Sequence, residues 1–584
     1  MTTTSPLTKS SALTNHPHRT ILKTFFLWKF FLLLIAVGST LVNDRAYDTS
    51  ADLLLIGDDE PLSVNDGNGV AELVRNFGKR LVTRFNSWDA IYFVSAAKRG
   101  YVYEQEWAFG TGLVASVRGV LGALQTLGLP LPNSPTALAE AVTAVLLSNI
   151  SHLLASLVLY HLTLLLPLSS CISSPQKQRK LALLTSVLFI FSPAGLFLSA
   201  PYAESSCALF SFLGWWFYAR SCLSDGASST FGHDGKVGSS SLTLKGDLNV
   251  LLAGLSFGIA TLFRTNGILN GLPFAWEVLT IFSVFITSGG KIPLLKTLRR
   301  LIALLLGGIF VAMGSIVPQT VAWMRYCPSG SLWLLNKFLS SSSGGGGVEV
   351  SETSDVSGSG GYGASGVGAG VSADGGALEG LVAREEAREW CAAVVPSIYT
   401  FVQEHYWNVG FLRYWTLPNI PLFLLAAPML TILVKSGLDQ LRQRPQQLTA
   451  NSVEKNNKSP ATASGTTSSS AAPDPSSSGS VKSDPEPTTT PAQQRMQILI
   501  HSAAAEQVLL AVLAVSTYHV QIITRISSGY PLWYWWLAQQ LLNDGDDGDQ
   551  EKKKKKKLGR GIVVFMVMYA AIQGVLFTSF LPPA

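Results

Sequence analysis

Apolar runs long enough to cross a bilayer recur along the chain and alternate with polar segments. A transmembrane helix needs about 20 consecutive, mostly apolar residues, and this pattern predicts about eleven such helices. They lie near 21–42, 136–167, 181–200, 203–219, 248–264, 268–288, 301–323, 418–435, 499–519, 529–543 and 561–580. The run 113–129 carries one charge and several glycines, which favours an interfacial or re-entrant segment. The pattern therefore predicts an all-α polytopic membrane protein.

Composition supports this class. The chain has 584 residues, of which 47% are hydrophobic and only 14% are charged, whereas about a quarter of the residues in soluble domains are charged. The net charge of +6 is modest and unevenly distributed. It indicates orientation in a bilayer and argues against nucleic acid as a partner.

The charges of the connecting segments predict an orientation. With a cytoplasmic tail at 1–20 and a retained signal-anchor helix after it, several short basic loops fall on the cytoplasmic side, as the positive-inside rule requires. The loop 43–112 falls on the far side and contains 11 acidic and 7 basic residues. The two patterns agree, so this acidic loop is predicted to face the lumen.

Three low-complexity segments interrupt the membrane portion. Residues 340–380 are rich in Ser and Gly, residues 446–494 are rich in Ser, Thr and Pro, and residues 544–557 join an acidic block to a lysine run. Such compositions bury too little apolar surface to offset the entropy of ordering, so disorder is predicted for all three. The resulting organisation is a membrane domain at 21–339, a lumenal insertion at 340–380, a lumenal loop end and helix at 381–445, a cytoplasmic insertion at 446–495, and final helices at 496–584 that include a charged cytoplasmic loop at 544–560.

Cysteine and histidine usage points away from metal chemistry. The five cysteines, Cys171, Cys207, Cys222, Cys327 and Cys391, form no CxxC pair and no cluster with histidine. The spacing therefore predicts neither a zinc site nor a disulfide framework. No metal ligand is predicted anywhere in the chain.

Five polar clusters, far apart in the sequence, fall on the far side of the predicted membrane. Ionisable groups near membrane depth are unfavourable and tend to be functional, so their convergence suggests a site. The clusters are Trp88-Asp89, Tyr202-Ala203-Glu204, Arg264-Thr265-Asn266-Gly267, His405-Tyr406-Trp407-Asn408 and His519-Val520-Gln521 with Arg525. Asp89 lies beside aromatic residues that can stack on a sugar or a lipid head group, which makes it the candidate for acid–base chemistry.

Each cluster also has a structural interpretation. Arg264 and Arg525 can extend from helix ends towards the membrane interface, and Glu204 can cap the helix that follows it. Asn266-Gly267 is also an ordinary turn sequence. The aromatic residues and histidine near 405–407 and 533–536 can form an interfacial aromatic belt, and this is the prediction for Trp533, Trp535 and Trp536.

The segment Ser87-Trp88-Asp89-Ala90-Ile91-Tyr92-Phe93 resembles the GPI mannosyltransferase 2 family of the PIG-V type. Further blocks that look like the family follow in the same order and cover most of the membrane portion. They are Gly100-Tyr101, Glu104, Ala108-Phe109, Ser192-Pro193-Ala194, Tyr202-Ala203-Glu204-Ser205, Phe263-Arg264-Thr265-Asn266-Gly267, Pro318-Gln319, Tyr406-Trp407-Asn408-Val409-Gly410-Phe411 and Arg525-Ile526-Ser527 to Pro531.

The resemblance implies a GT-C-like bundle in the endoplasmic reticulum membrane with a functional first lumenal loop. It implies α-1,6 transfer of the second mannose of a GPI-anchor precursor from dolichol-phosphate-mannose, without another cofactor and with a possible small membrane accessory subunit. Asp89 is then the general base, and Arg264 or Arg525, or both, stabilise the leaving phosphate. The predicted substrate-binding residues are Trp88, Tyr92, Glu204, Arg264, Asn266, His405, Tyr406, Asn408, Gln521 and Arg525.

Three other functions fit the membrane pattern. The first is a GT-C transferase with a different acceptor, because the spacing of residues in the sequence does not identify the acceptor. A polytopic lipid or solute transporter tends to have internal repeats and polar groups in mid-membrane, whereas here the polar groups gather at one face. In a non-catalytic scaffold, Asp89 would be replaceable.

Overall fold

A computed structural model gives the architecture of the chain. It describes residues 16–42, 49–56, 69–129, 135–168, 174–226, 240–287, 294–327, 388–442, 491–542 and 550–581. The predicted disordered insertion 340–380 and residues 446–490 of the insertion 446–494 lie outside these residues, whereas residues 491–494 begin an α-helix instead of being disordered. The chain separates into two compact units, one formed by 1–315 with 408–584 and the other by 316–407.

Every regular secondary-structure element in the described residues is a helix. The α-helices are α1 Pro17–Val42, α2 Ser50–Leu55, α3 Gly69–Arg84, α4 Ala90–Arg99, α5 Thr111–Thr126, α6 Leu138–Leu165, α7 Pro175–Ile190, α8 Glu204–Gly226, α9 Ser240–Phe263, α10 Leu272–Thr287, α11 Leu294–Tyr326, α12 Ile398–His405, α13 Ile420–Arg442, α14 Pro491–Ser516, α15 Ile523–Ile526, α16 Leu532–Leu542 and α17 Gln550–Thr578. Short 3₁₀ turns join several of them, including Gly195–Leu198, Thr265–Gly271 and Val520–Ile522.

Eight segments within the described residues are long and apolar enough to span a membrane. They are Pro17–Leu41, Leu138–Leu165, Leu244–Phe263, Thr265–Thr287, Thr297–Tyr326, Leu417–Arg442, Arg495–Ser516 and Lys553–Thr578. The multi-span, all-helical class is confirmed, whereas the predicted count of about eleven spans is not. A helix does occupy each of the eleven predicted positions, but α7, α8 and α16 are not among the eight.

The boundaries of α7 and α17 differ from the prediction. The apolar run 181–200 does not continue as one helix, because α7 ends at Ile190 and a 3₁₀ turn follows at Gly195–Leu198. At the other end of the chain, residues 550–557, which include the lysine run, extend the last helix instead of being disordered. Lysine is a good helix former and continues the apolar span that follows it.

The prediction of an interfacial aromatic belt at 533–536 is wrong. Trp533, Trp535 and Trp536 are all buried within α16. Each indole N–H has a partner, the Ser527 carbonyl at 3.0 Å, the Thr163 hydroxyl at 2.9 Å and the Asp439 carboxylate at 3.1 Å, respectively. A short helix surrounded by longer ones buries its aromatic residues, and local hydrophobicity alone does not distinguish this from a membrane interface.

Small residues allow a close approach between two helices of the first unit. A Cβ atom on Gly254 would lie 2.4 Å from the Cα atom of Gly307, and one on Gly258 would lie 2.3 Å from the carbonyl oxygen of Phe310. The Gly-xxx-Gly spacing therefore brings α9 and α11 into backbone contact, as in many membrane helix pairs. This packing fixes the end of α9, which leads directly to Arg264.

A buried ion pair ties α10 to α11. Arg300 donates from Nε and Nη2 to Glu277 at 2.9 and 3.0 Å, and also donates to the Ser221 hydroxyl of α8 at 3.2 Å. Arg300 lies within α11, and Glu277 on the adjacent helix compensates its charge there.

The prediction of no disulfide is also wrong, because Cys327 and Cys391 in the second unit are bonded. Their Cα atoms are 5.7 Å apart although 64 residues separate them in the chain. Such a long spacing gives no local signal, and the pair becomes apparent only once the chain is folded. Disulfides persist in oxidising compartments, which fits the predicted far-side position of this segment.

We expect Cys327→Ser and Cys391→Ser to have equal effects on the thermal stability of the purified protein, with no further loss in the double variant. Closing a loop of this length contributes about 4 kcal/mol in the chain-entropy model. Thermal unfolding followed with and without reductant measures the effect. A double variant that is markedly less stable than either single variant would contradict a shared bond.

Candidate active site

Asp89 immediately precedes α4, in the predicted catalytic loop. An aspartate at this N-cap position commonly accepts a hydrogen bond from the first turn of its helix, but the Asp89 side chain makes no such bond. Its carboxylate instead contacts Arg525, which follows in the chain more than 400 residues later. The Asp89 Oδ2 atom accepts from Nη1 and Nη2 of Arg525 at 3.2 and 3.3 Å.

Arg525 also bonds a second carboxylate. Its Nε donates to Oε1 of Glu204 at 2.9 Å. The same Glu204 oxygen accepts from Nη1 of Arg264 at 2.8 Å. Two acids and two guanidinium groups therefore form a continuous network, Asp89–Arg525–Glu204–Arg264.

A break between two membrane helices positions Arg264. Helix α9 ends at Phe263, Arg264 adopts an extended backbone, and a 3₁₀ turn begins at Thr265. Arg264 Nε donates to the Asn266 side-chain oxygen at 3.3 Å, and the Asn266 amide donates to the Tyr530 hydroxyl at 3.2 Å. The turn thus extends the network to the segment that follows Arg525.

Exposure changes along the network. The Glu204 side chain is fully buried, those of Arg525 and Arg264 are 12% and 20% exposed, and that of Asp89 is 36% exposed. Asp89 is therefore the member that solvent or a bound substrate reaches most easily. A small cavity adjoins the buried end and is lined in part by Glu204, Cys207, Arg264, Asn266 and Tyr530.

Electrostatics keep Arg525 charged in this setting. Burial by itself lowers the pKa of Arg525, but the Glu204 and Asp89 carboxylates outweigh it and raise the pKa above its ordinary value. The guanidinium carbon also lies 4.4 Å from the Phe197 ring centroid and 4.7 Å from that of Tyr202. Cation–π contacts of this kind stabilise a partly desolvated cation.

Tyr92 and Gln521 lie near parts of this network. Tyr92, on α4, stacks on Phe109 with ring centroids 5.1 Å apart and is partly exposed. Its pKa is raised by burial and by the charges of Asp89 and Glu106. Gln521, four residues before Arg525, accepts from the Tyr414 hydroxyl at 3.0 Å.

The remaining predicted residues are placed differently. Asn408 is exposed and has a left-handed backbone with φ of 49°. His405 and Tyr406 belong to the second unit, where His405 stacks on Phe401 with ring centroids 4.9 Å apart. The structure therefore brings together Asp89, Glu204, Arg264, Asn266 and Arg525 in the first unit. Trp88 donates its indole N–H to the carbonyl of Leu581 at 3.1 Å.

Several contributing residues are absent from the predicted set. Tyr202 and Phe197 flank Arg525, Tyr530 bonds Asn266, and His519 packs edge-on against Tyr414 at 5.0 Å. Burial lowers the pKa of His519, and the charge of Asp89 opposes this shift. Tyr202 and Tyr530 lie within the same sequence blocks as Glu204 and Arg525, so those blocks contained the signal for them.

The arrangement combines an accessible carboxylate with two cationic side chains. The carboxylate can accept a proton, and the guanidinium groups can stabilise a departing anion such as a phosphate. Within the described residues, no group of three or more His, Cys, Asp or Glu side chains is placed to hold a metal ion.

Comparison with known proteins identifies the family of this chain. A GPI mannosyltransferase 2 of Chaetomium globosum is 45% identical over 97% of this chain and 97% of its own length. A GPI alpha-1,6-mannosyltransferase 2 of Cricetulus griseus is 26% identical over 62% of this chain and 59% of its own length.

A solved oligosaccharyltransferase of Archaeoglobus fulgidus overlaps 97% of the chain with 10% identity and a TM-score of 0.37. This chain spans 56% of the length of that structure. The model of the PIG-V mannosyltransferase family matches residues 20–584. With that match over nearly the whole sequence, the chain belongs to the PIG-V mannosyltransferase family and is a glycosyltransferase.

Proposed function

We propose that this chain adds the second mannose, in α-1,6 linkage, to a GPI-anchor precursor, with dolichol-phosphate-mannose as donor. The observation that carries the proposal is the Asp89–Arg525–Glu204–Arg264 network, in which the accessible Asp89 carboxylate contacts Arg525 and is linked through Glu204 to Arg264. The names of the similar proteins support the acceptor and the linkage. A GT-C architecture, the endoplasmic reticulum membrane, a lumenal site and a small accessory membrane subunit complete the proposal.

The proposed reaction is a single inverting displacement. Asp89 accepts the proton of the acceptor hydroxyl as that oxygen bonds to the anomeric carbon of the donor mannose. The bond between that carbon and the phosphate oxygen breaks, and dolichyl phosphate leaves with the electron pair. Among the described residues, both Arg525 contacts use Oδ2 of Asp89, so Oδ1 is the oxygen that faces the acceptor in this proposal.

The two arginines have distinct roles in the proposed step. Arg525 contacts the base directly, so it positions the carboxylate and lies close to the developing charge. Arg264 contacts Glu204 and Asn266 and holds the buried end of the network. Charge-assisted bonds from either guanidinium to the leaving phosphate stabilise it more strongly than neutral donors do.

Complementation tests this function directly. The full chain is expressed in cells that lack the second mannose of the GPI anchor, and the accumulated lipid intermediate is followed by mass. We expect the one-mannose intermediate to disappear and the two-mannose product to form. If the one-mannose lipid persists although the protein is present in the membrane, the proposed acceptor is wrong.

We expect the transfer to need no added divalent metal, because the phosphate charge is offset by Arg264 and Arg525. Transfer from dolichol-phosphate-mannose is compared in microsomes with and without a chelator. Activity lost in the chelator and restored by a divalent ion would contradict this expectation. The Asp89→Asn variant provides the background signal in both conditions.

A further inference from the structure

Three consecutive residues of the catalytic loop are held by three distant parts of the chain. The Ser87 carbonyl accepts from the Tyr202 hydroxyl at 3.0 Å, and Asp89 contacts Arg525. Between them, the Trp88 indole N–H donates to the carbonyl oxygen of Leu581 at 3.1 Å, just beyond the end of α17. The segment after the last helix is therefore attached directly beside the proposed base.

The end of α17 is a Schellman-type cap with an unusual residue. The Phe580 N–H bonds to the Phe577 carbonyl at 3.1 Å, and the Leu581 N–H bonds to the Leu576 carbonyl at 2.9 Å. In this motif the residue corresponding to Phe580 adopts a left-handed backbone and is usually glycine. Phe580 has φ of 55° and is buried, so its ring has a contact that glycine would lack.

The contact of the Phe580 ring is with Trp88. The two ring centroids are 5.0 Å apart with an interplanar angle of 31°. Trp88 is itself left-handed, with φ of 59°. Each such residue costs about 1–3 kcal/mol and persists only where its surroundings enforce it. Two strained aromatic residues that face each other next to Asp89 indicate that this contact fixes the path of the loop.

We propose that the cap Ser579–Leu581 positions Asp89, and that Trp88 is a positioning residue instead of a sugar contact. This inference rests on the proposed role of Asp89 as base. The left-handed backbone at Trp88 directs the chain into α4, and the Leu581 carbonyl together with the Phe580 ring holds that turn. Arg525, on the separate helix α15, holds the Asp89 carboxylate.

Phe580→Gly tests the proposal with little effect on the cap itself, because glycine favours the left-handed backbone that the cap requires. We expect kcat for mannose transfer to fall about 10- to 100-fold with KM for the donor nearly unchanged, since a base displaced by about 1 Å loses alignment but not substrate affinity. Trp88→Phe, which removes only the N–H donor and part of the ring, should show a smaller loss of the same kind. Val575→Ala, an exposed change on the same helix, is the matched control.

A double-variant cycle separates positioning from general damage. If the cap acts through Asp89, then Phe580→Gly should cause little further loss in an Asp89→Asn background. An equal loss in both backgrounds would overturn the proposal.

Hydrogen exchange gives a readout that does not depend on the identity of the acceptor. In the purified full chain, Phe580→Gly should increase exchange in residues 85–92, and Val575→Ala should not. Unchanged exchange in that segment would refute the proposed contact even if the mannose transfer were confirmed. Increased exchange in a protein without mannosyl transfer would support the positioning and refute only the function.

Discussion

Asp89→Asn should reduce mannose transfer by about 10²–10⁴-fold, which is the usual contribution of a positioned general base. Asparagine keeps the size of the side chain and an oxygen that can accept from Arg525, but it cannot accept the acceptor proton. Because Asp89 is partly exposed, we expect little loss of folding stability. The initial rate of transfer from dolichol-phosphate-mannose in microsomes, at matched protein levels, measures the effect.

Glu389→Gln is the matched control, since it neutralises an exposed acid elsewhere in the chain. It should leave the rate unchanged. Full activity in Asp89→Asn would refute the assignment of the base, and Glu204 would become the next carboxylate to test. The accumulated lipid in complemented cells should remain the one-mannose intermediate if the assignment is correct.

Glu204→Gln should destabilise the protein by about 3–5 kcal/mol and also abolish most activity. Its carboxylate is fully buried and its Oε1 atom accepts from both Arg264 and Arg525, so its loss leaves two cations facing a neutral amide. The thermal unfolding midpoint in detergent, compared with that of Glu404→Gln at an exposed site, measures the stability effect.

Charge balance gives this prediction a second test. The network contains two acids and two bases, and Glu204→Gln leaves one cation in excess. Adding Arg264→Gln restores the balance and should recover part of the stability but not the activity. A double variant that is no more stable than Glu204→Gln would show that uncompensated charge is not the cause.

Part of the site was predictable from the sequence because its residues occur in unusual local settings. Asp89 beside aromatic residues, Glu204 at a helix start and Arg264 between two apolar runs are all anomalous near a membrane face. Their pairing was not predictable, because contacts between residues 89, 204, 264 and 525 depend on how the helices pack. The contact of Trp88 with the end of the chain was not predictable for the same reason, since its hydrogen-bond partner lies almost 500 residues away.

Other features also depended on tertiary packing that the local sequence does not reveal. A predicted aromatic belt became the buried helix α16, because the hydrophobicity of a short segment does not reveal what surrounds it. The Cys327–Cys391 bond was missed because a separation of 64 residues gives no local signal. The lysine run joined α17 because helix propensity and the adjacent span outweighed charge repulsion along it.

The sequence by itself determined the helical, multi-span class and the polar residues that are candidates for the site. Bilayer thickness and the cost of burying charge both act on short stretches of chain, so both can be recognised locally. Only the tertiary structure decided which of those residues form one site. Packing through glycine contacts, the break at Arg264 and the cap after α17 join groups that are hundreds of residues apart. Those contacts convert separate polar clusters into one network, in which Glu204 bridges Arg264 and Arg525 and Arg525 contacts Asp89.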